Sequence, residues 1–248
     1  MGVLTMLEVK NLTKRFGDLT AVNDISFSVG QGEIFGLLGE NGAGKTTTLR
    51  LLATMLKPTS GMATLNGYDL ISEPDKVRSS IGILFGGESG LYDRLTAAEN
   101  IAYFGELNNM SRQEIRKRIS ELGEAFDMTE YMDRKTGKFS KGMKQKVAFA
   151  RSIVHNPVIM LFDEPTSGLD VSAIRNVHDF IMACKDAGKT IVLSSHNMNE
   201  VEKLCDRIGI IHKGRLVATG SIPQLLEEHG GSSLEEVFMK LVGDRNEF

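Results

Sequence analysis

The run Gly39-Glu40-Asn41-Gly42-Ala43-Gly44-Lys45-Thr46 constrains this chain more than any other feature. It fits the pattern G-x-x-x-x-G-K-[ST] at every fixed position. Its setting fits as well. The apolar run Ile34 to Leu38 precedes it, and a helical pattern from Lys45 to about Leu56 follows, stopped by Pro58 and Gly61. The motif therefore predicts a strand–loop–helix unit. Glycines let the backbone curl until successive N–H groups point inward as an anion nest. The helix N-terminus adds the positive end of its dipole. Gly39, Glu40, Asn41, Gly42, Ala43, Gly44, Lys45, Thr46 and Thr47 are thus candidate nucleotide-binding residues. Lys45 has the length to reach β and γ phosphates, and the Thr46 hydroxyl is a candidate Mg²⁺ ligand.

A second acidic feature lies far along the chain. Val158 to Phe162 is an apolar run that ends in Asp163 and Glu164. Such a run predicts a buried parallel strand, and acids at its carboxyl end fall where open α/β sheets bind ligands. Asp163 is then a candidate to orient Mg²⁺, and Glu164 a candidate to polarise an attacking water. The competing reading is a charge pair that merely opens a helix at Asp-Glu-Pro.

Around and between these two features the pattern alternates. Leu7 to Val9, Ala21 to Val29, Ala63 to Leu65, Ile81 to Phe85, Thr190 to Ser194 and Ile208 to Ile211 read as further strands. Helical patterns separate the later ones, which predicts a mostly parallel α/β sheet. From Thr96 to about His155 the pattern is helical almost throughout, as an insertion. There Ser111 and Glu114 form a capping box, with Ile115, Ile119, Leu122 and Phe126 on one helix face. From Ser221 onward two short amphipathic stretches break at Gly230-Gly231.

Composition narrows the function classes. Lys plus Arg is 29 and Asp plus Glu is 32, so the net charge is 29 − 32 = −3, with no bulk attraction to nucleic acid. No apolar run approaches the roughly 20 residues of a spanning helix. The two cysteines, Cys184 and Cys205, are too few for a disulfide scaffold and lack metal-ligand spacing, which fits a reducing cytosol.

With these residues in place, the chain resembles the nucleotide-binding subunit of ATP-binding-cassette (ABC) transporters over roughly residues 6 to 220. The most specific likeness is Phe139-Ser140-Lys141-Gly142-Met143-Lys144-Gln145, which is similar to the family signature Leu-Ser-Gly-Gly-Gln. The resemblance implies a phosphate-loop ATPase core with a mostly parallel sheet, an antiparallel β subdomain and a helical insertion. It implies a nucleotide-binding domain over 1–220, its helical part at about 88–156, and a short helical tail over 221–248. It implies ATP and Mg²⁺ as ligands. Ser140, Lys141 and Gly142 would meet the γ-phosphate of a second copy, in a head-to-tail dimer. Phe16 falls where the family stacks an aromatic on adenine, or is a core aromatic. Ser167-Gly168-Leu169-Asp170 is similar to the loop that couples the two sites across the dimer, and His196, after the strand ending at Ser194-Ser195, to the switch histidine that contacts the γ-phosphate.

Two positions depart from the family. Phe85-Gly86-Gly87-Glu88-Ser89-Gly90 stands where a glutamine usually follows the strand, so Glu88 either replaces it as a Mg²⁺ ligand or belongs to a simple hinge. Lys141 stands in place of the first signature glycine. The cluster Arg134, Lys135, Lys138, Lys141, Lys144 and Lys146 reads as a positive rim for phosphates; no aromatic platform is interleaved for nucleic acid. The chain is expected at the cytoplasmic face of the membrane as a peripheral subunit, with a separate multi-span permease. The stretch from Gly86 to Thr96 resembles bacterial exporter cassettes of the sodium-extrusion and drug-resistance groups, sodium first. A soluble ABC ATPase acting on nucleic acid or ribosomes is the alternative.

Overall fold

The computed structural model describes residues 4–85 and 90–243. The chain begins with an antiparallel hairpin, β1 (Thr5–Phe16) and β2 (Leu19–Gly30). β3 (Ile34–Leu38) runs through the glycine-rich loop into α1 (Lys45–Leu52). β4 (Ser60–Leu65) and β5 (Tyr68–Asp69) rejoin the hairpin, giving a four-stranded antiparallel sheet in the order β2-β1-β4-β5. α2 (Pro74–Ser80) feeds β6 (Ile81–Phe85). A helical block follows: α3 (Ala97–Leu107), α4 (Arg112–Ala125) and α5 (Lys141–Ile153). Then come β7 (Ile159–Asp163), α6 (Val171–Asp186), β8 (Thr190–Ser195), α7 (Met198–Leu204), β9 (Arg207–His212) and β10 (Arg215–Gly220). Two helices, α8 (Ile222–His229) and α9 (Leu234–Gly243), complete the described chain.

The second sheet has the order β10-β9-β3-β8-β7-β6. β9, β3, β8, β7 and β6 pair in parallel, and β10 joins antiparallel at the edge. Every residue of β3, β7 and β8 is buried, as expected for strands covered on both faces. One core lies between the two sheets, where Phe27 stacks on Phe35 at 5.0 Å. Another joins the parallel sheet to the helical block and α6, through Phe149, Phe162 and Phe180. A third seats the tail: Leu225, Leu234, Val237 and Phe238 cover Leu38, Val201, Ile208 and Ile210. This is the α/β cassette architecture the sequence predicts.

Details differ. α1 stops at Leu52 instead of Leu56, because Thr54 turns left-handed at φ 59° and the N–H groups of Met55 and Leu56 both fold back onto the Arg50 carbonyl. The stretch from Thr96 to His155 is three helices with two 3₁₀ turns, Thr129–Tyr131 and Thr136–Lys138, between α4 and α5. β1 and β2 each run for 12 residues, longer than the alternation suggests, because register shifts break the period-2 pattern along β1.

The sheet brings the motifs together. In the parallel register Leu38 is opposite Ser195, and Asp163 is opposite Ser194. The carboxyl ends of β3, β8 and β7 are therefore neighbours, and their loops converge on one crevice.

Candidate nucleotide site

The loop between β3 and α1 is shaped by its glycines. Gly42 has φ 81° and Gly44, the N-cap of α1, has φ 110°, values costly for any residue with a side chain. A Cβ on Gly44 would also lie 2.6 Å from the Ala21 carbonyl oxygen, so β2 presses directly on the loop. The Ala43 carbonyl accepts from the Gly214 N–H at 2.9 Å, which anchors the loop to the β9–β10 turn. Beside it is a cavity of about 120 Å³ whose walls include Asn41, Gly42, Thr46, Thr47 and Glu164. A larger cleft, about 1130 Å³, lies between α4, α5 and α6, away from this convergence of ionisable groups.

Lys45 is buried and its ammonium donates to the Gly39 and Glu40 carbonyls at 2.7 and 3.0 Å. It also lies 3.5 Å from Glu164 Oε1. Thr46 Oγ1 donates to Asp163 Oδ1 at 3.1 Å, and Ser194 Oγ donates to the same oxygen at 2.6 Å. Ser194 Oγ in turn accepts from the Glu164 N–H at 3.0 Å. Glu164 has φ 46°, a left-handed backbone rare for a residue with a long side chain. Backbone strain of this kind collects at sites where a side chain must be aimed. His196 Nδ1 lies 3.2 Å from Glu164 Oε1, and the imidazole is half exposed. Lys45, Thr46, Asp163, Glu164 and His196, named from the sequence, thus gather in one place. Ser194, which ties the two acids together, was not legible as a site residue.

The other predicted residues stand elsewhere. Phe16 ends β1 and is 46% exposed, with the Lys14 ammonium 4.9 Å from its ring centre. Ser140 caps α5, accepting from the Met143 N–H at 3.2 Å. The Lys141 ammonium donates to the Gly168 carbonyl of its own chain, and Gln145 Nε2 donates to the Pro165 carbonyl at 3.2 Å. Among the described residues, no hydrogen bond or ion pair joins Ser140, Lys141 or Gly142 to Gly39–Thr47. Asp170 caps α6, accepting from the Ala173 N–H at 2.9 Å and the Ser172 hydroxyl at 2.8 Å. Those bonds, the Ala173 one first, hold its carboxyl below the ordinary range. In the basic cluster, Lys144 is committed to Asp93 at 2.9 Å. Glu88 lies outside the described residues.

A glycine loop that cradles phosphate, set one strand away from paired carboxylates on a parallel sheet, defines the phosphate-loop ATPases. Residues 22–167 match the family model described as ABC transporter, and the chain belongs to that family. It is an ATP-binding, ATP-hydrolysing subunit of the transport class. It is 47% identical over 242 residues to the ABC transporter ATP-binding protein NatA of Bacillus subtilis, covering 96% of this chain and 98% of that protein. It is 37% identical over 228 residues to the daunorubicin/doxorubicin resistance ATP-binding protein DrrA of Streptomyces peucetius, covering 92% and 69% respectively. A solved ATP-binding subunit of an ABC transporter superposes with a TM-score of 0.87 at 32% identity, covering 96% of this chain and 99% of that one. These relatives support the transport reading over a soluble ATPase acting on nucleic acid or ribosomes. No helix among the described residues is long and apolar enough to cross a membrane.

Proposed function

We propose that this chain is the motor subunit of an exporter, working as a head-to-tail pair at the cytoplasmic face of the membrane. Each ATP lies between Gly39–Thr47 of one copy and Ser140, Lys141 and Gly142 of the other. The observation that carries this reading is the convergence of Lys45, His196 and the strained Glu164, with Oε1 3.2 and 3.5 Å from the two nitrogens. The separation of Ser140–Gly142 from that group within one chain supports a second copy as the source of the remaining contacts.

The donor set fits Mg²⁺. Thr46 Oγ1 and Asp163 Oδ1 are hard oxygen ligands 3.1 Å apart. No cluster of three or more His, Cys, Asp or Glu suited to a metal occurs among the described residues. Mg²⁺ characteristically uses one or two protein oxygens and completes its shell from phosphate and water. When bound, the ion would neutralise charge on the β and γ phosphates.

The chain's own groups do the rest. Lys45 and the loop N–H groups hold the phosphates. Glu164 orients a water for in-line attack on the γ-phosphorus and takes up its proton as a P–O bond forms. The bond to the β–γ bridging oxygen breaks, and ADP leaves with that electron pair. His196 holds the Glu164 carboxylate on one side and faces the γ-phosphate on the other. Loss of the γ-phosphate removes the contacts that close the dimer, and the pair opens. A multi-span permease would dock beside the exposed Tyr92, Tyr103 and Leu107. The proposed cargo is sodium, on the likeness of Gly86–Thr96 to sodium-extrusion cassettes, with a drug or other small substrate second. Phe16 is proposed to stack on adenine and Asp170 to couple the two sites.

Glu164→Gln tests the reading. ATPase activity is expected to fall at least about 100-fold, the scale of a lost general base, while ATP binding persists and a dimer accumulates on size-exclusion chromatography with ATP. Retained turnover, or a monomer with ATP bound, would remove the proposal.

A further inference from the structure

Glu200 lies in the first turn of α7 and is 4% exposed. A buried carboxylate is costly unless its oxygens are fully engaged. Here they are. Oε1 accepts from the Thr166 hydroxyl at 2.7 Å and faces His178 Nε2, from α6, at 3.2 Å. Oε2 accepts from the Ser195 hydroxyl at 2.6 Å. The helix dipole at the start of α7 favours negative charge at the same place.

The donors are placed on two loops that matter. Ser195 immediately precedes His196, and its hydroxyl oxygen accepts from the Asn197 N–H at 3.0 Å, so the turn that carries His196 is pinned on both sides. Asn197 Oδ1 then accepts from the Glu200 N–H at 3.4 Å, which closes the ring. Thr166 belongs to the turn after β7, where the Ser167 N–H bonds the Glu164 carbonyl at 3.0 Å and the Leu169 N–H bonds the Thr166 carbonyl at 3.1 Å. That turn carries Glu164 at one end and Asp170 at the other. None of these hydrogen bonds of Glu200 reaches Gly39–Thr47.

We propose that Glu200 is a positioning residue for hydrolysis: its carboxylate clamps the His196 turn to the Glu164–Asp170 loop and so maintains the spacing between the two groups that act on ATP. An apolar side chain would fill the same volume at lower cost, whereas only an acceptor with two oxygens joins Thr166 to Ser195. A misplacement of about 1 Å at reacting groups is enough to slow turnover up to about 100-fold. The clamp works on the loops and leaves the phosphate cradle untouched, so it sets kcat and not ATP affinity. The inference rests on the proposed roles of Glu164 and His196.

The test uses the full chain with its membrane partner. Thr166→Val and Ser195→Ala each remove one arm with little change of volume, and Glu200→Gln keeps the shape while replacing one acceptor with a donor. Each is expected to lower kcat by about tenfold with KM for ATP within about twofold, the pattern of a contact that matters only during turnover. The Thr166→Val/Ser195→Ala pair should cost less than the product of the single effects, because either break already opens the clamp. Glu200→Ala is the variant most prone to misfold, and the two single-arm variants keep the test independent of it. Wild-type kcat in both single-arm variants, strictly multiplicative effects, or parallel loss of kcat and ATP affinity would overturn the proposal. Glu164→Gln and His196→Ala run alongside. If they retain ATPase activity the underlying reading fails; if they are dead while Thr166→Val and Ser195→Ala are both normal, only the clamp fails.

Discussion

Single residues define what this cassette does, and they were unequally visible. Lys45, Thr46 and Asp163 announce themselves because their motifs are contiguous in the chain and each type has one chemical use there. Ser194 and Glu200 do not. Ser194 reads as the end of an apolar strand, and its role exists only because β7 and β8 set it opposite Asp163. Glu200 follows Asn197 at the spacing of a capping box, which would send its side chain back over the helix start. The fold turns the carboxylate inward to Thr166 and Ser195 instead. His155 is another residue whose setting only the structure supplies. Its Nε2 faces the Ile81 carbonyl at 2.9 Å, and its buried Nδ1 has no partner among the described residues. Burial first, then Lys189 and Arg118, push its pKa below the ordinary 6.5, although the Ile81 contact opposes the shift. The unfolded chain therefore binds a proton that the folded one refuses. Its contribution to stability is complete above about pH 6.5 and is lost as pH falls through the depressed folded value. Urea unfolding at pH 7.5 and 5.5 should show a smaller drop for His155→Asn than for the parent; an equal drop would clear His155 of this role. The thiols are quiet by the same physics, since desolvation pushes Cys184 up to about 12 and Cys205 higher still.

At the scale of elements, strands were legible where both faces are covered, since β3 and β7 are apolar up to their carboxyl ends and β8 is built on Ile191, Val192 and Leu193. Element ends were less so. α1 ends on a left-handed Thr54, a choice made by local hydrogen bonds to Arg50 and not by Pro58. β10 lacks alternation, and is a strand because β9 offers it an edge. The packing of β3 against α7 carries a sharp expectation. A Cβ on Gly36 would stand 2.7 Å from Cys205 Sγ and 3.4 Å from both Ile208 Cγ2 and Val201 Cγ1. Gly36→Ala should cost about 1–3 kcal/mol by overpacking. Adding Cys205→Ala removes the sulfur from that contact, so the double variant should recover part of the loss. Denaturant midpoints of the four proteins measure this, and simple additivity would refute the contact as the cause.

At the scale of the whole molecule, two sheets and a helical block meet around one crevice, and the tail completes the far side. α8 and α9 were legible as short amphipathic pieces, but their address was not, because the surface they cover is built from β3, β9 and α7, distant in sequence. Deleting residues 221–248 would uncover Leu38, Val201, Ile208 and Ile210, each no more than 1% exposed. The truncated protein should melt at a lower temperature and hydrolyse ATP more slowly with ATP affinity retained, read by calorimetry and steady-state kinetics. Unchanged turnover would show the tail to be a passive cover. α9 rests on α7, and α7 begins with the turn that carries His196 and Glu200. Whatever shifts α9 would therefore bear, through α7, on the turn that holds His196.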